Sequence, residues 1–302
     1  MLETEICGIK FKNPVFLASG IMGETGSALK RIAKGGSGAV VTKSVGLYPN
    51  SGHKNPTIVE VYGGFLNAMG LPNPGVDEYI EEIKSVKKDL EKMGVRVIGS
   101  IYGKDEDEFI DVAKKIESFV DAIELNISCP HAKGYGATIG QNPEMSYNVC
   151  AAVKDVVKIP VFAKLTPNVS DIVEIAGAVV EAGVDGLVAI NTVRGMVIDI
   201  KAKKPILSNK FGGLSGKAIK PIGVKAVWDL YENFDVPIIG VGGIMSGEDA
   251  IEYMMAGASA VQVGSGVYYR GYDVFKKICD EICSFLKEEG LTLKEIVGLA
   301  HR

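Results

Sequence analysis

Short apolar runs recur along the whole chain, each followed by a polar or glycine-bearing turn and then an amphipathic stretch. Eight of the runs read as buried strands: 14–18 (PVFLA), 38–43 (GAVVTK), 95–101 (VRVIGSI), 121–127 (DAIELNI), 160–165 (PVFAKL), 185–191 (DGLVAIN), 236–241 (VPIIGV) and 259–264 (SAVQVG). Their near-continuous Val, Ile and Leu content, rather than strict alternation, is what a parallel sheet covered on both faces produces. Between them the pattern predicts helices over 75–92, 105–118, 170–182, 219–233 and 246–256. Ser246 before Gly-Glu-Asp reads as an N-cap with acids in the first turn.

Eight strand–helix units predict an α/β fold, a (β/α)₈ TIM barrel whose usual size is about 250 residues. A doubly wound sheet is the runner-up, but it carries fewer strands and a single glycine-rich fingerprint turn. The remaining length has places to go. Residues 3–12 (ETEICGIKFK) predict a short N-terminal hairpin closing the barrel bottom, and 44–74, 128–142 and 192–217 are long connections that all follow strands. In this architecture the loops after strands surround the active site. A weak repeat supports the barrel: a helix-ending glycine leads into a strand and a polar residue eight positions later, at Gly35–Lys43, Gly183–Asn191 and Gly257–Ser265. Glycine suits the left-handed position after a helix. No stretch reads as a linker, so residues 1–302 are expected to form a single domain.

Composition narrows the function. Thirty-three Lys and Arg against 37 Asp and Glu leave a net charge of −4, which argues against a nucleic-acid-binding surface. A hydrophobic fraction of 47% with 23% charge excludes disorder. Glycine is in excess: 37 of 302 residues, about 12% against an average near 7%. These glycines mark turns or places where backbone approaches a ligand. Met1-Leu2-Glu3-Thr4-Glu5 lacks the basic and apolar regions of a signal peptide, and no apolar run nears the roughly 18 residues of a membrane span. Five cysteines without a Cys-x-x-Cys fit reduced thiols, so the expectation is a cytoplasmic protein. The same spacing makes an iron–sulfur cluster on this chain unexpected, and three histidines without paired spacing give no zinc site.

The predicted strand ends carry Ser19-Gly20, Lys43-Ser44, Ser100, Asn126 with Cys129, Lys164, Asn191-Thr192, Gly242-Gly243 and Gly264-Ser265. A purely structural barrel has no reason to place a polar residue or glycine at every end. Gly242-Gly243 and Gly264-Ser265 close strands seven and eight, where barrels bind phosphate through backbone N–H groups; tight turns alone are the plainer reading. Lys43 and Lys164 admit three roles: a solvated side chain, a Schiff-base nucleophile, or a fixed cation facing a bound anion. Cys129, just past a strand and ahead of Pro130, sits where this fold places catalytic groups, whereas Cys150, Cys279 and Cys283 read as small core residues. A thiol of ordinary pKa, near 8.5, is only a few per cent thiolate at pH 7, so a base there needs loop dipoles or a nearby cation. Asn67, Asn126 and Asn191 offer paired acceptor and donor groups that suit a ring of alternating N–H and C=O, such as a pyrimidine dione.

Together NPVFLASG, TKSV, NAMGLPN, ELNISCP, AKLTPN, NTVRGM, GGLSGKAIKP, VGGIMSGEDA and VQVGSG cover essentially the whole chain. In these motifs it resembles the class 1 dihydroorotate dehydrogenases, FMN-dependent barrels of pyrimidine biosynthesis that oxidise dihydroorotate to orotate. The 192–217 loop and the terminal EIVGLAH are most similar to class 1B, the NAD⁺-linked form. The resemblance implies Cys129 as the base at substrate C5, with hydride passing from C6 to FMN. It implies Lys43, Asn67, Ala68, Met69, Gly70, Leu71, Asn126, Asn191 and Thr192 around the substrate. Around one FMN per chain it implies Ser19, Lys43, Ser44, Asn126, Lys164, Ile190, Gly216, Gly242, Gly243, Gly264 and Ser265, with the last four at its phosphate. FAD and a 2Fe–2S cluster are expected only on a partner electron-transfer subunit, with a homodimer of this chain inside a heterotetramer. Class 2 relatives use serine as the base and carry an N-terminal membrane-associating segment; this chain has Cys129 and is expected to lack such a segment. His131 and Ser100 stand where many relatives have Asn, and Ser44 keeps the hydroxyl of a common Thr.

Other readings stay in view. A fumarate-linked class 1A enzyme or a dihydropyrimidine dehydrogenase-like barrel shares the cysteine base. A dihydrouridine synthase is disfavoured by the acidic charge. A Schiff-base aldolase on Lys164 would be colourless and trappable by borohydride.

Overall fold

The structure, a computed structural model, describes residues 2–127 and 139–302. An antiparallel hairpin opens the chain, β1 (Thr4–Ile6) with β2 (Ile9–Phe11). Strands and helices then alternate: β3 (Val15–Leu17), α1 (Gly26–Lys34) and β4 (Ala39–Val41). The connection after β4 carries β5 (Ile58–Val61) and β6 (Gly64–Asn67) before α2 (Val76–Lys92). Next come β7 (Arg96–Ile101), α3 (Glu106–Ile116), β8 (Ala122–Leu125), α4 (Pro143–Lys154), β9 (Val161–Leu165), α5 (Ile172–Glu181) and β10 (Gly186–Ala189). After β10 lie β11 (Val193–Gly195), β12 (Ile198–Asp199), β13 (Lys204–Pro205) and β14 (Gly212–Ser215). The chain ends with α6 (Lys220–Asn233), β15 (Ile238–Val241), α7 (Gly247–Met255), β16 (Ala260–Val263), α8 (Gly266–Arg270), α9 (Val274–Glu289) and α10 (Leu293–Ile296).

Eight strands close into a parallel barrel in the order β3-β4-β7-β8-β9-β10-β15-β16. They are the eight runs expected from the apolar pattern, and the (β/α)₈ fold follows. The N-terminal hairpin is present too, and Phe11 packs on Phe16 of β3 with ring centroids 4.7 Å apart. The long connections after β4 and β10 are more ordered than loops: their segments join as one antiparallel sheet, β11-β14-β6-β5. Among the described residues no helix is long and apolar enough to cross a membrane.

Alternation along each barrel strand explains the double core. On β3, Val15 and Leu17 point outward to the helices while Phe16 points into the barrel. Inside, Phe16, Val41, Ile98, Phe162, Val188 and Ile239 form an apolar plug capped by Ile6 and Phe11 of the hairpin. Outside, α2 presents Val76, Tyr79, Ile80, Ile83, Val86 and Leu90 to the strands, a stripe at helical spacing. Each such buried aliphatic side chain contributes about 1.5–3 kcal/mol relative to exposure. Of the three helix-ending glycines, Gly183 and Gly257 are left-handed as expected, at φ 86° and 119°. At the first, the left-handed residue is Gly36 (φ 100°), while Gly35 has ordinary helical φ of −74°. Gly35 is small for another reason: a Cβ there would stand 1.9 Å from the Tyr272 carbonyl oxygen.

Candidate active site

The C-terminal ends of the barrel strands and the added sheet enclose a cavity of about 620 Å³, a usual size for a small-molecule site. The strand ends contribute Ser19, Lys43, Ser44, Asn126, Lys164, Asn191, Thr192, Gly264 and Ser265 to its wall. Asn67, Met69, Gly70 and Leu71 reach it from β6 and the turn beyond. Ala68, Ile190, Gly216, Gly242 and Gly243 are not in the wall; Ala68 and Ile190 are fully buried. Cys129 lies outside the described residues, as does His131.

A ladder of hydroxyls and amides holds the strand ends in register. Ser19 Oγ donates to the Thr42 carbonyl at 2.8 Å and lies 3.2 Å from Ser44 Oγ, which lies 2.8 Å from Ser100 Oγ. Asn126 Nδ2 donates to Ser44 Oγ at 2.9 Å, and Asn191 Nδ2 to Asn126 Oδ1 at 3.4 Å. Asn191 Oδ1 in turn accepts the Thr192 N–H at 2.7 Å. Ser100 therefore acts from behind the wall, through Ser44. The two lysines differ in setting. Lys43 stands 3.5 Å from Glu24, whose side chain is 63% exposed, so the pair is screened and holds weakly. Lys164 is buried and meets Glu124, wholly buried, at 3.2 Å. That contact with Glu124 was not anticipated; its signal was a charged residue inside each of two otherwise apolar strands.

On the opposite wall the turn after β6 is pinned from three sides. The His53 N–H donates to the Met69 carbonyl at 2.9 Å, Asn50 Nδ2 to Gly70 at 3.0 Å and Asn73 Nδ2 to Leu71 at 2.9 Å. Gly70 is left-handed (φ 75°), and a Cβ there would lie 2.8 Å from the His53 nitrogen. Phe65 and Tyr268, also unanticipated, meet edge to face at 4.8 Å where the added sheet faces α8.

At the ends of β15 and β16, among the described residues, no acceptor meets the backbone N–H groups of Gly243, Gly264 or Ser265. Unmet donors at a strand–helix junction suit an anion. The turn is built from below by Tyr253 of α7. Its hydroxyl donates to the Gly242 carbonyl at 2.8 Å, and burial pushes that hydroxyl well above its ordinary pKa, so it stays a donor. The ring fits only because Gly223 and Gly240 lack a Cβ, which would meet Tyr253 atoms at 1.9 and 2.5 Å.

Asp249 completes the support. Ser246 and Asp249 form the capping box of α7, and Asp249 also accepts from the Met245 N–H at 2.9 Å and from Lys220 at 2.8 Å. Burial pushes its carboxyl up, but the Lys220 and Met245 hydrogen bonds outweigh burial and hold it below the ordinary carboxylate range. A depressed carboxyl stabilises the fold above its unfolded pKa, and that share is lost as pH falls through the folded value. Asp249→Asn is therefore expected to cost about 1–3 kcal/mol in urea unfolding at pH 7 and less at an acid pH below the ordinary carboxylate range. An equal gap at both pH values would contradict this.

Among the described residues no cluster of His, Cys, Asp or Glu could hold a metal. The wall does fit FMN: a polar strand-end ring beside a lysine, and free N–H donors at the place a phosphate needs them.

The family model described as dihydroorotate dehydrogenase matches residues 1–286. The chain is 84% identical, over 100% of its length and 98% of the relative's, to the dihydroorotate dehydrogenase B (NAD(+)) catalytic subunit of Methanocaldococcus jannaschii. It is 54% identical to the protein of the same description from Pyrococcus abyssi, over 99% of both chains. Among solved structures it is similar to dihydroorotate dehydrogenase of Eimeria tenella in complex with ferulenol. That likeness has a TM-score of 0.88 at 27% identity, covering 100% of this chain and 89% of the other.

Proposed function

Because the chain belongs to the dihydroorotate dehydrogenase family, we propose that it is the catalytic subunit of an NAD⁺-linked dihydroorotate dehydrogenase of pyrimidine biosynthesis. The observation that carries this reading is the convergence of Lys43, Asn67, Asn126, Lys164 and Asn191 on one cavity, in a chain so similar to relatives of that description.

FMN, when bound, supplies the hydride acceptor that no side chain can provide. The chain supplies position and charge. Asn67, Asn126, Asn191 and Thr192 hold a ring with alternating donors and acceptors, and Met69 to Leu71, with Ala68 behind them, shape its edge. Lys43 offers its ammonium to an anionic substrate group. Ser19, Ser44, Asn126 and Lys164 would hold the flavin, Lys164 contributing a cation, with Ile190 buried near them. The N–H groups of Gly264 and Ser265, with that of Gly243 beside them, would receive its phosphate, and Gly216 and Gly242 shape the turns. Cys129 takes the proton from substrate C5. The whole chain acts as one FMN-binding domain. The reading puts FAD and 2Fe–2S electron-transfer chemistry on a partner subunit, which the description of the relatives as catalytic subunits and five cysteines without cluster spacing on this chain support. The resemblance to the NAD⁺-linked class implies a homodimer of this chain inside a heterotetramer, in the cytoplasm.

Anaerobic absorbance titration tests the reading. The purified chain should be yellow, or take up FMN, and its flavin bands should bleach on adding dihydroorotate. A colourless chain that takes up no FMN sinks the proposal. Turnover with NAD⁺ should stay low until an iron–sulfur subunit is added, and efficient fumarate reduction by the chain alone would move it to class 1A.

A further inference from the structure

Between the apolar plug and the cavity the barrel interior carries a polar layer from three strands. Glu124 of β8, Lys164 of β9 and Gln262 of β16 all point inward, two residues beyond the plug residues Ala122, Phe162 and Ala260. Glu124 is 0% exposed and Gln262 1%. The Glu124 carboxylate accepts from Lys164 Nζ at 3.2 Å through one oxygen and from Gln262 Nε2 at 2.7 Å through the other. Among the described residues Lys164 Nζ donates to no other group, and an ammonium has three N–H donors. The rest of its capacity faces the cavity it lines.

Stability does not explain this layer. A buried ion pair gains little or nothing over apolar side chains of the same volume, because both charges lose their hydration. Its effect is on the cavity. In a dry interior a lone ammonium would strongly favour any ligand state carrying extra negative charge. A carboxylate in contact with it on the far side cancels part of that field and fixes where the nitrogen sits.

We propose that Glu124 is a positioning residue that sets the reduction potential of the bound flavin, by holding Lys164 in place and offsetting part of its charge. This rests on the FMN reading above. Reduction adds negative charge to the flavin, so a fully uncompensated Lys164 makes the reduced form too stable, whereas the Glu124–Lys164 pair keeps the potential lower.

The test is a spectroscopic redox titration of the FMN-loaded chain against reference dyes, with no substrate present. Glu124→Gln should raise the two-electron midpoint potential, favouring reduced over oxidised FMN at least tenfold, which is about 30 mV. Glu124→Asp keeps the charge but withdraws it by one methylene, and should give a smaller rise. A potential unchanged or lowered in both variants overturns the proposal. If Glu124→Gln does not fold, Glu124→Asp decides alone, and a potential equal to wild type overturns it. A wild-type chain that takes up no FMN refutes the functional reading first, and this inference with it. A purely architectural Glu124 would alter unfolding but leave the potential where it was.

Discussion

Cys129→Ala should take up FMN as the parent chain does, yet bleach about 10²- to 10⁴-fold more slowly when dihydroorotate is added, the usual contribution of a positioned general base. The expectation rests on where the thiol falls in the chain. It follows β8 by a few residues, beyond Asn126, which lines the cavity, and catalytic groups in barrels sit at such strand ends. The proposed cofactor contacts are made by residues other than Cys129, so removing the thiol should leave FMN uptake essentially unchanged. The measurement is stopped-flow reduction under anaerobic conditions, with cofactor content checked in the same sample. The parent rate should climb with pH as a thiol gives way to thiolate, and the alanine variant should lose that dependence. A variant that bleaches at the parent rate removes Cys129 from catalysis.

The barrel was legible because parallel strands buried on both faces leave a strong mark. Runs such as PVFLA and VPIIGV, repeated eight times at strand length between amphipathic stretches, fit buried parallel strands better than helices. The added sheet was not legible, because GFLN, GGLS and VRG are too short and too rich in glycine to show a period of two. They pair only because the barrel brings the connections after β4 and β10 together. The strand-end ring was readable residue by residue, since polarity at the end of an apolar run has few structural excuses. Depth was not: Asn126 and Ser100 look alike in the chain, yet one lines the cavity and the other stands behind Ser44. The interior polar layer left a trace in the strands AIEL, VFAKL and AVQV, one polar residue in each. Only the register of β8, β9 and β16 shows that the three meet.

That layer makes Lys164→Met a strongly destabilising change near the site. Glu124 would be left wholly buried with Gln262 as its remaining neutral partner, and breaking one side of a buried pair costs about 3–5 kcal/mol. Methionine matches the length of the lysine stem, so lost packing adds little and the deficit reports the stranded carboxylate. Adding Glu124→Gln to Lys164→Met removes the charge with almost no change of volume, and the double variant should recover most of the loss. Urea unfolding of the parent, both single variants and the double variant without cofactor measures the coupling directly. FMN affinity should behave differently: both variants lacking Lys164 should bind it more weakly, because the cavity has lost its buried cation whether or not the fold is restored. Stability would then return in the double variant while cofactor binding would not, separating what Glu124 needs from what the ligand needs. A Lys164→Met chain within about 1 kcal/mol of the parent, well below the cost of breaking a buried pair, would show that the carboxylate is not held by that lysine.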